Sequence, residues 1–131
     1  MPIEFHTDQD TDFFVIEMNG RITDAEMMER YSSFYQSERW KPGQNALTDA
    51  SNADFSGLTP EGLREFSSYL DTLFCEHGVS GKKSALYCPG DLQFGVARMY
   101  SVFADRSPQT AKVFRDYDEA VAWLRNPLLT D

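Results

Sequence analysis

Residues 13–20, FFVIEMNG, carry apolar side chains on both faces of an extended chain. Phe13 and Val15 point one way; Phe14, Ile16 and Met18 point the other. A strand apolar on both sides belongs inside a sheet that is covered on both faces. The rest of the chain supplies the cover. Thr23-Asp24-Ala25-Glu26 reads as a capping box that opens a helix, with Met27, Met28, Tyr31, Phe34 and Tyr35 at three-to-four spacing as far as Trp40. Lys41-Pro42-Gly43 ends it. A weaker strand follows over 45–50. Thr59, Pro60 and Glu61 then start a second helix as N-cap, first helical residue and dipole partner. Leu63, Phe66, Leu70, Leu73 and Phe74 form its apolar stripe, and Gly78 stops it.

The alternation continues. Residues 83–88 read as a strand and Pro89-Gly90-Asp91 as the turn into a third helix. The expected core face of that helix is Leu92, Val96, Met99, Tyr100 and Phe103, with a break at Ser107-Pro108. Residues 110–114 form the last strand. Asp116 and Glu119 cap a short final helix with Ala120, Val121 and Leu124 inward, closed by Asn126-Pro127. At the front, 3–7 is a short edge strand, and 7–12 is a polar turn that makes a hairpin with 13–20. The order is β-β-α-β-α-β-α-β-α, an α/β class with a mixed, mostly parallel sheet. The 131 residues amount to one domain, 1–131. At 41% hydrophobic and 14% aromatic, the chain supports a packed core.

A net charge of −9 excludes a nucleic-acid footprint, which rests on clustered Lys and Arg. Anionic membrane surfaces are disfavoured for the same reason. No apolar run is long enough to span a bilayer, so stable membrane insertion is not expected. With two cysteines, Cys75 and Cys88, at no metal-type spacing and no leader pattern, a reducing, cytoplasmic setting is expected.

In an open parallel sheet, sites form beyond the carboxyl ends of the strands. That directs attention to the loop expected over 49–59 and to the turn 88–91. The candidate ligand- or partner-binding residues are Asp49, Ser51, Ser56, Thr59, Cys88 and Asp91. Asp49 can serve as a ligand hydrogen bond or general base, or it can cap its own loop. Cys88 is either a thiolate favoured by a helix N-terminus, with Asp91 opposing, or a buried apolar cysteine. No Gly-rich phosphate cradle and no catalytic Ser/His/Asp order is present, so neither cofactor nor metal is expected, and no catalytic residue is assigned. Tyr31, Phe34, Tyr35 and Trp40 on one helix exceed the needs of a single stripe. They pack inward, dock a second subunit, or wall an apolar pocket to which Met27, Met28 and Met99 add an adaptable lining.

The middle strand ALTDAS, the helix entrance TPEGL, and the segments KSALYCPGDLQFGVARMY and KVFRDYDEAVAWL together resemble the STAS fold of the anti-sigma-factor antagonists (SpoIIAA-like), in particular the bacterial STAS/SEC14-domain branch. The resemblance implies a SpoIIAA-like fold and a non-enzymatic regulatory or protein-interaction module. It also implies a phosphoacceptor in an Asp-Ser-Ser-Gly-Leu turn. The matching turn is Thr59-Pro60-Glu61-Gly62-Leu63. Gly62 and Leu63 agree with the motif, but the acceptor position holds Pro60, which has no hydroxyl. Ser56 and Thr59 are the nearest alternative acceptors. The expected partner is a protein or a second copy of the chain. The SEC14 relationship implies as an alternative a small apolar or amphipathic, lipid-like ligand.

Overall fold

The computed structural model describes residues 2–7, 13–104 and 109–126. The elements are β1 (Ile3–His6), β2 (Phe13–Thr23), α1 (Asp24–Tyr35), β3 (Asn45–Gly57), α2 (Pro60–Glu76), β4 (Lys82–Tyr87), α3 (Asp91–Phe103), β5 (Gln109–Phe114) and α4 (Tyr117–Arg125). The expected order holds. The polar turn over 8–12, the break at Ser107-Pro108 and the closing Pro127 lie outside the described residues.

The five strands form one sheet in the order β1-β2-β3-β4-β5. β1 runs antiparallel to β2, with Ile3 opposite Met18, and the other pairs are parallel. Consecutive parallel strands are therefore adjacent throughout. The crossover helices α1, α2 and α3 all deliver their buried residues to one core, which also takes Phe14, Ile16 and Met18 from β2. Among the described residues the opposite face is covered by α4, whose Ala120, Trp123 and Leu124 pack on Phe13, Leu47, Ala85 and Phe114. The two apolar faces of β2 thus bury against different layers, as its sequence demands.

Strand order sets a limit on where a site can form. A crevice opens at the carboxyl edge of a parallel sheet where neighbouring crossovers leave toward opposite faces. Here the order is monotonic and the crossovers share a face, so the described strands contain no reversal.

Several boundaries differ from expectation. α1 ends at Tyr35, and Trp40 folds back as a buried residue against Tyr35 and Phe74. The 49–59 loop is instead a strand: β3 continues to Gly57. Two register shifts make this possible. Glu17 pairs with Asp49 but Asn19 with Asn52, and Arg21 pairs with Asp54 but Thr23 with Gly57. At each shift β3 spends one residue more than β2, the signature of a β-bulge. The first bulge changes the parity of the strand. Ala46, Thr48 and Ala50 are buried before it, and Ala53 and Phe55 after it. Without the extra residue Ala53 and Phe55 would face outward.

α3 also turns otherwise than expected. Its buried residues are Ala97 and Tyr100, followed by Ala104 at its end, while Leu92, Met99 and Val102 are exposed. This helix has more apolar residues than one seam can bury. The alanine row lets its backbone approach the layer beneath, and the larger side chains are left outside.

Candidate functional site

The residues singled out in the sequence are first of all hydrogen-bonded to one another. Asp49 Oδ1 accepts from the Ser51 backbone N–H at 3.0 Å and from the Ser51 hydroxyl at 2.7 Å. Asp54 Oδ1 accepts from the Ser56 N–H at 2.9 Å, and that bond lowers the Asp54 pKa below the usual carboxylate range. Two Asp-x-Ser triplets thus sit at the two bulges, each carboxylate satisfying an N–H beside the shift in pairing. Gly57 completes the second bulge, since a Cβ there would lie 2.6 Å from the Ile22 carbonyl oxygen. The polar cluster that resembled the mouth of a site builds a strand.

Thr59 is the N-cap of α2, accepting from the Gly62 N–H at 2.9 Å. Its hydroxyl donates to Asp24 Oδ2 at 2.6 Å and its backbone N–H donates to Asp24 Oδ1 at 3.1 Å. A carboxylate from the first turn of α1 therefore sits against the amino end of α2, where an anion is favoured. Gly62 leaves room for it, because a Cβ there would run into the Asp24 carboxylate. Asp91 is exposed at the start of α3 and pairs with Arg115 at 2.8 Å.

Cys88 is buried and ends the row of β4 that faces the three helices. Burial, reinforced by the Asp49 carboxylate, pushes its thiol up to about 12. The thiolate form is thereby disfavoured at neutral pH. Asp49, opposite Tyr87 in the register, shares the rim with Cys88. Cys88 lines a cavity.

That cavity, of about 60 Å³, lies between the sheet and α1, α2 and α3. It exists because the sheet face beneath it is small or polar where a covered parallel sheet is normally branched and apolar. Phe14, Ala46, Ser84 and Ala111 form one row across the strands, and Ile16, Thr48, Leu86 and Val113 the next. At the amino end of β4 the row holds Lys82 beside Gln109. Tyr31, Tyr35 and Tyr100 descend from the helices and help line the space, as do Met27, Leu63 and Phe66. Tyr31 faces the Thr48 hydroxyl, and Tyr100 Oη accepts from Gln109 Nε2 at 2.9 Å. Burial raises all three phenol pKa values above the ordinary range.

Lys82 is 2% exposed. Its Nζ lies 4.3 Å from the centre of the Phe74 ring, 5.6 Å from that of Phe14 and 5.8 Å from that of Tyr35. Among the described residues it makes no hydrogen bond and no ion pair. Burial lowers its pKa to about 7. Lys82 lies one residue ahead of the strand expected over 83–88, and β4 begins with it. The signal was the Lys82-Lys83 pair itself: in a sheet covered on both faces, two successive residues put one side chain under each layer. Of the aromatic group on α1, Tyr31 and Tyr35 wall the cavity, while Phe34 stacks on Phe5 at 4.2 Å.

A further polar cluster lies on the hairpin. His6 Nε2 is 3.3 Å from Glu17 and 3.8 Å from Glu4, and the three groups are close enough together to hold a metal ion. As they stand, the His6 ring and the Glu17 carboxylate share a hydrogen bond between the strands of the hairpin.

No protein-family model matches the chain, and no curated protein matches it. A solved structure does: an uncharacterized protein from the DUF3478 family with a SpoIIAA-like fold, from Shewanella loihica PV-4. The two chains superpose with a TM-score of 0.53 and 25% sequence identity, over 93% of this chain and 91% of that one. The fold is SpoIIAA-like. The expected α/β class and element order therefore stand. Among the described residues, no helix of this SpoIIAA-like chain is long and apolar enough to cross a membrane.

Proposed function

We propose that this SpoIIAA-like chain is a non-enzymatic regulatory or protein-interaction module that meets a protein partner through the outer face of α3. The supporting observation is the exposed apolar row there. Leu92, Met99 and Val102 are 58%, 36% and 68% exposed on one side of the helix. Gly95 lies in the same row with open space above it. Apolar residues at helical spacing on an exposed helix face suit a hydrophobic contact with a polar rim. The entrance of α2 argues for a module that is not switched at that turn. The Thr59 hydroxyl is held by Asp24, and a phosphate on it would face that carboxylate. Ser56 is exposed on the second bulge.

A photo-crosslinking residue placed at 92 or 102 tests this in the cell of origin. The expected result is a discrete crosslinked species that is absent when the same group is placed at Asp118 on α4, across the sheet, and that is lost from position 92 on Val102→Asp and from position 102 on Leu92→Asp. No α3-specific product at either position would overturn the proposal.

A second reading, binding of a small amphipathic molecule, is favoured by the cavity over Lys82. A membrane lipid is far larger than about 60 Å³, so any occupant must be small.

A further inference from the structure

The second reading is the basis for a more specific inference, because the cavity has a defined chemistry. Its lining contains one cation, Lys82, and no carboxylate among the described residues. The Lys82 ammonium is surrounded by ring faces, which attract a cation but neutralise no charge. A buried charge without a counter-ion is costly and is relieved by an anion. Hydroxyl donors line the same space: Tyr35 above, and Ser84 two residues along the strand from Lys82. Beyond them Ile16, Met27 and Leu86 supply apolar wall, and the Thr48 hydroxyl between Ile16 and Leu86 is turned to Tyr31. Size limits the occupant further. At about 10–15 Å³ for each water-sized occupant, 60 Å³ holds roughly four to six non-hydrogen atoms.

We propose that this cavity binds a small aliphatic monocarboxylate of roughly two to four carbons, its carboxylate on the Lys82 ammonium with the Tyr35 and Ser84 hydroxyls, its alkyl end against Ile16, Met27 and Leu86. One cation specifies one negative charge, and the apolar end of the cavity selects a carboxylate with a tail over an inorganic anion. This inference rests on the small-amphiphile reading and is separable from it.

The test uses the whole chain and sodium propionate as probe, with 1-propanol as its neutral counterpart and sodium chloride at matched ionic strength. Binding is followed by saturable NMR shifts of the tyrosine ring signals. Propionate is expected to shift the rings of Tyr31 and Tyr35 saturably, with chloride giving no such shift. In Lys82→Met, whose fold is checked by its near-UV circular dichroism, propionate affinity falls about 10- to 100-fold, the weight of one charge-assisted hydrogen bond. Tyr35→Phe weakens propionate and leaves propanol unchanged. If propionate and propanol bind alike and Lys82→Met leaves both unchanged, the carboxylate inference is overturned while the small-amphiphile reading survives. If neither binds, both fall. An equal saturable shift from chloride overturns the choice of a carboxylate in favour of an inorganic anion.

Discussion

Lys82 and Lys83 are consecutive and buried, yet they solve burial in opposite ways. Lys83 points under α4, where its Nζ donates to the Trp123 carbonyl at 2.9 Å and the Asn126 carbonyl at 2.6 Å. Its backbone N–H donates to Asn45 Oδ1 at 2.8 Å. A cation placed on the last carbonyls of a helix satisfies acceptors that the helix cannot bond itself and meets the negative end of its dipole. Lys82 points under the three-helix layer, where among the described residues its ammonium meets ring faces and makes no hydrogen bond. One lysine ties a helix to the sheet; the other leaves a charge available in a cavity. A buried polar group with partners is architecture, whereas one without partners marks a place where something else can bind.

The largest expected effect concerns Lys82. Burial lowers the Lys82 pKa from the ordinary 10.5 to about 7, which corresponds to a cost on the order of 5 kcal/mol for holding the ammonium in the fold. Lys82→Met should therefore stabilise the protein by up to about that amount at pH 6, read from denaturant midpoints. A destabilised Lys82→Met would break the contrast.

The pH dependence follows with its sign. The folded-state pKa lies below the unfolded one, so the unfolded chain binds more protons between them, and stability rises with pH across that window. The penalty is complete below pH 7 and fades toward 10.5. The groups that share the cavity act with the opposite sign and bound this window: the unfolded chain loses the Cys88 proton from about pH 9 and the tyrosine protons from about 10, whereas the folded chain keeps them. Tyr31 and Tyr35 on α1 and Tyr100 on α3 are raised above their ordinary range, and Cys88 is pushed up to about 12. The Asp71 carboxylate on α2 acts on Tyr100. Wild type should thus gain stability between pH 7 and 9, and Lys82→Met should lose most of that slope while Lys83→Met keeps it.

Lys83→Met should act in the opposite direction, destabilising by about 2–3 kcal/mol as two carbonyls lose a charged donor, read in the same denaturant series. Gly57→Ala should cost about 1–3 kcal/mol, because the obstacle is the Ile22 backbone carbonyl, which cannot swing aside. Thr59→Val should cost about 1 kcal/mol, the usual weight of an N-cap, and leave the propionate response intact because Thr59 lies away from the cavity. The smallest effect is chemical: Cys88 should react slowly with a thiol reagent at neutral pH, and the exposed Cys75 quickly.

Much of this architecture was legible beforehand because period and caps agree locally. Thr23, Thr59 and Asp116 each accept the N–H they were expected to accept. The stop at Gly78 appears as a positive φ of 66°. What stayed hidden depends on long-range pairing. Asp49-Ala50-Ser51 and Asp54-Phe55-Ser56 have turn composition, and only the partner strand β2 shows that they are bulges in a continuous β3. Leu92 and Met99 match an inward stripe, but the row that faces inward was decided by the alanines that fit beneath. Lys82 resembles any lysine at the start of a strand, and its isolation appears only when Phe14, Phe74 and Tyr35 converge on it from three elements.

The most direct measurement is an NMR titration of the Lys82 side chain, followed through its ε-carbon signal in lysine-labelled protein and assigned by its loss in Lys82→Met. An ammonium buried without a partner predicts a midpoint near 7, moving upward when propionate is added. A midpoint near 10.5 that ignores propionate would mean the charge is solvated or already paired, and the contrast between the two lysines would be gone.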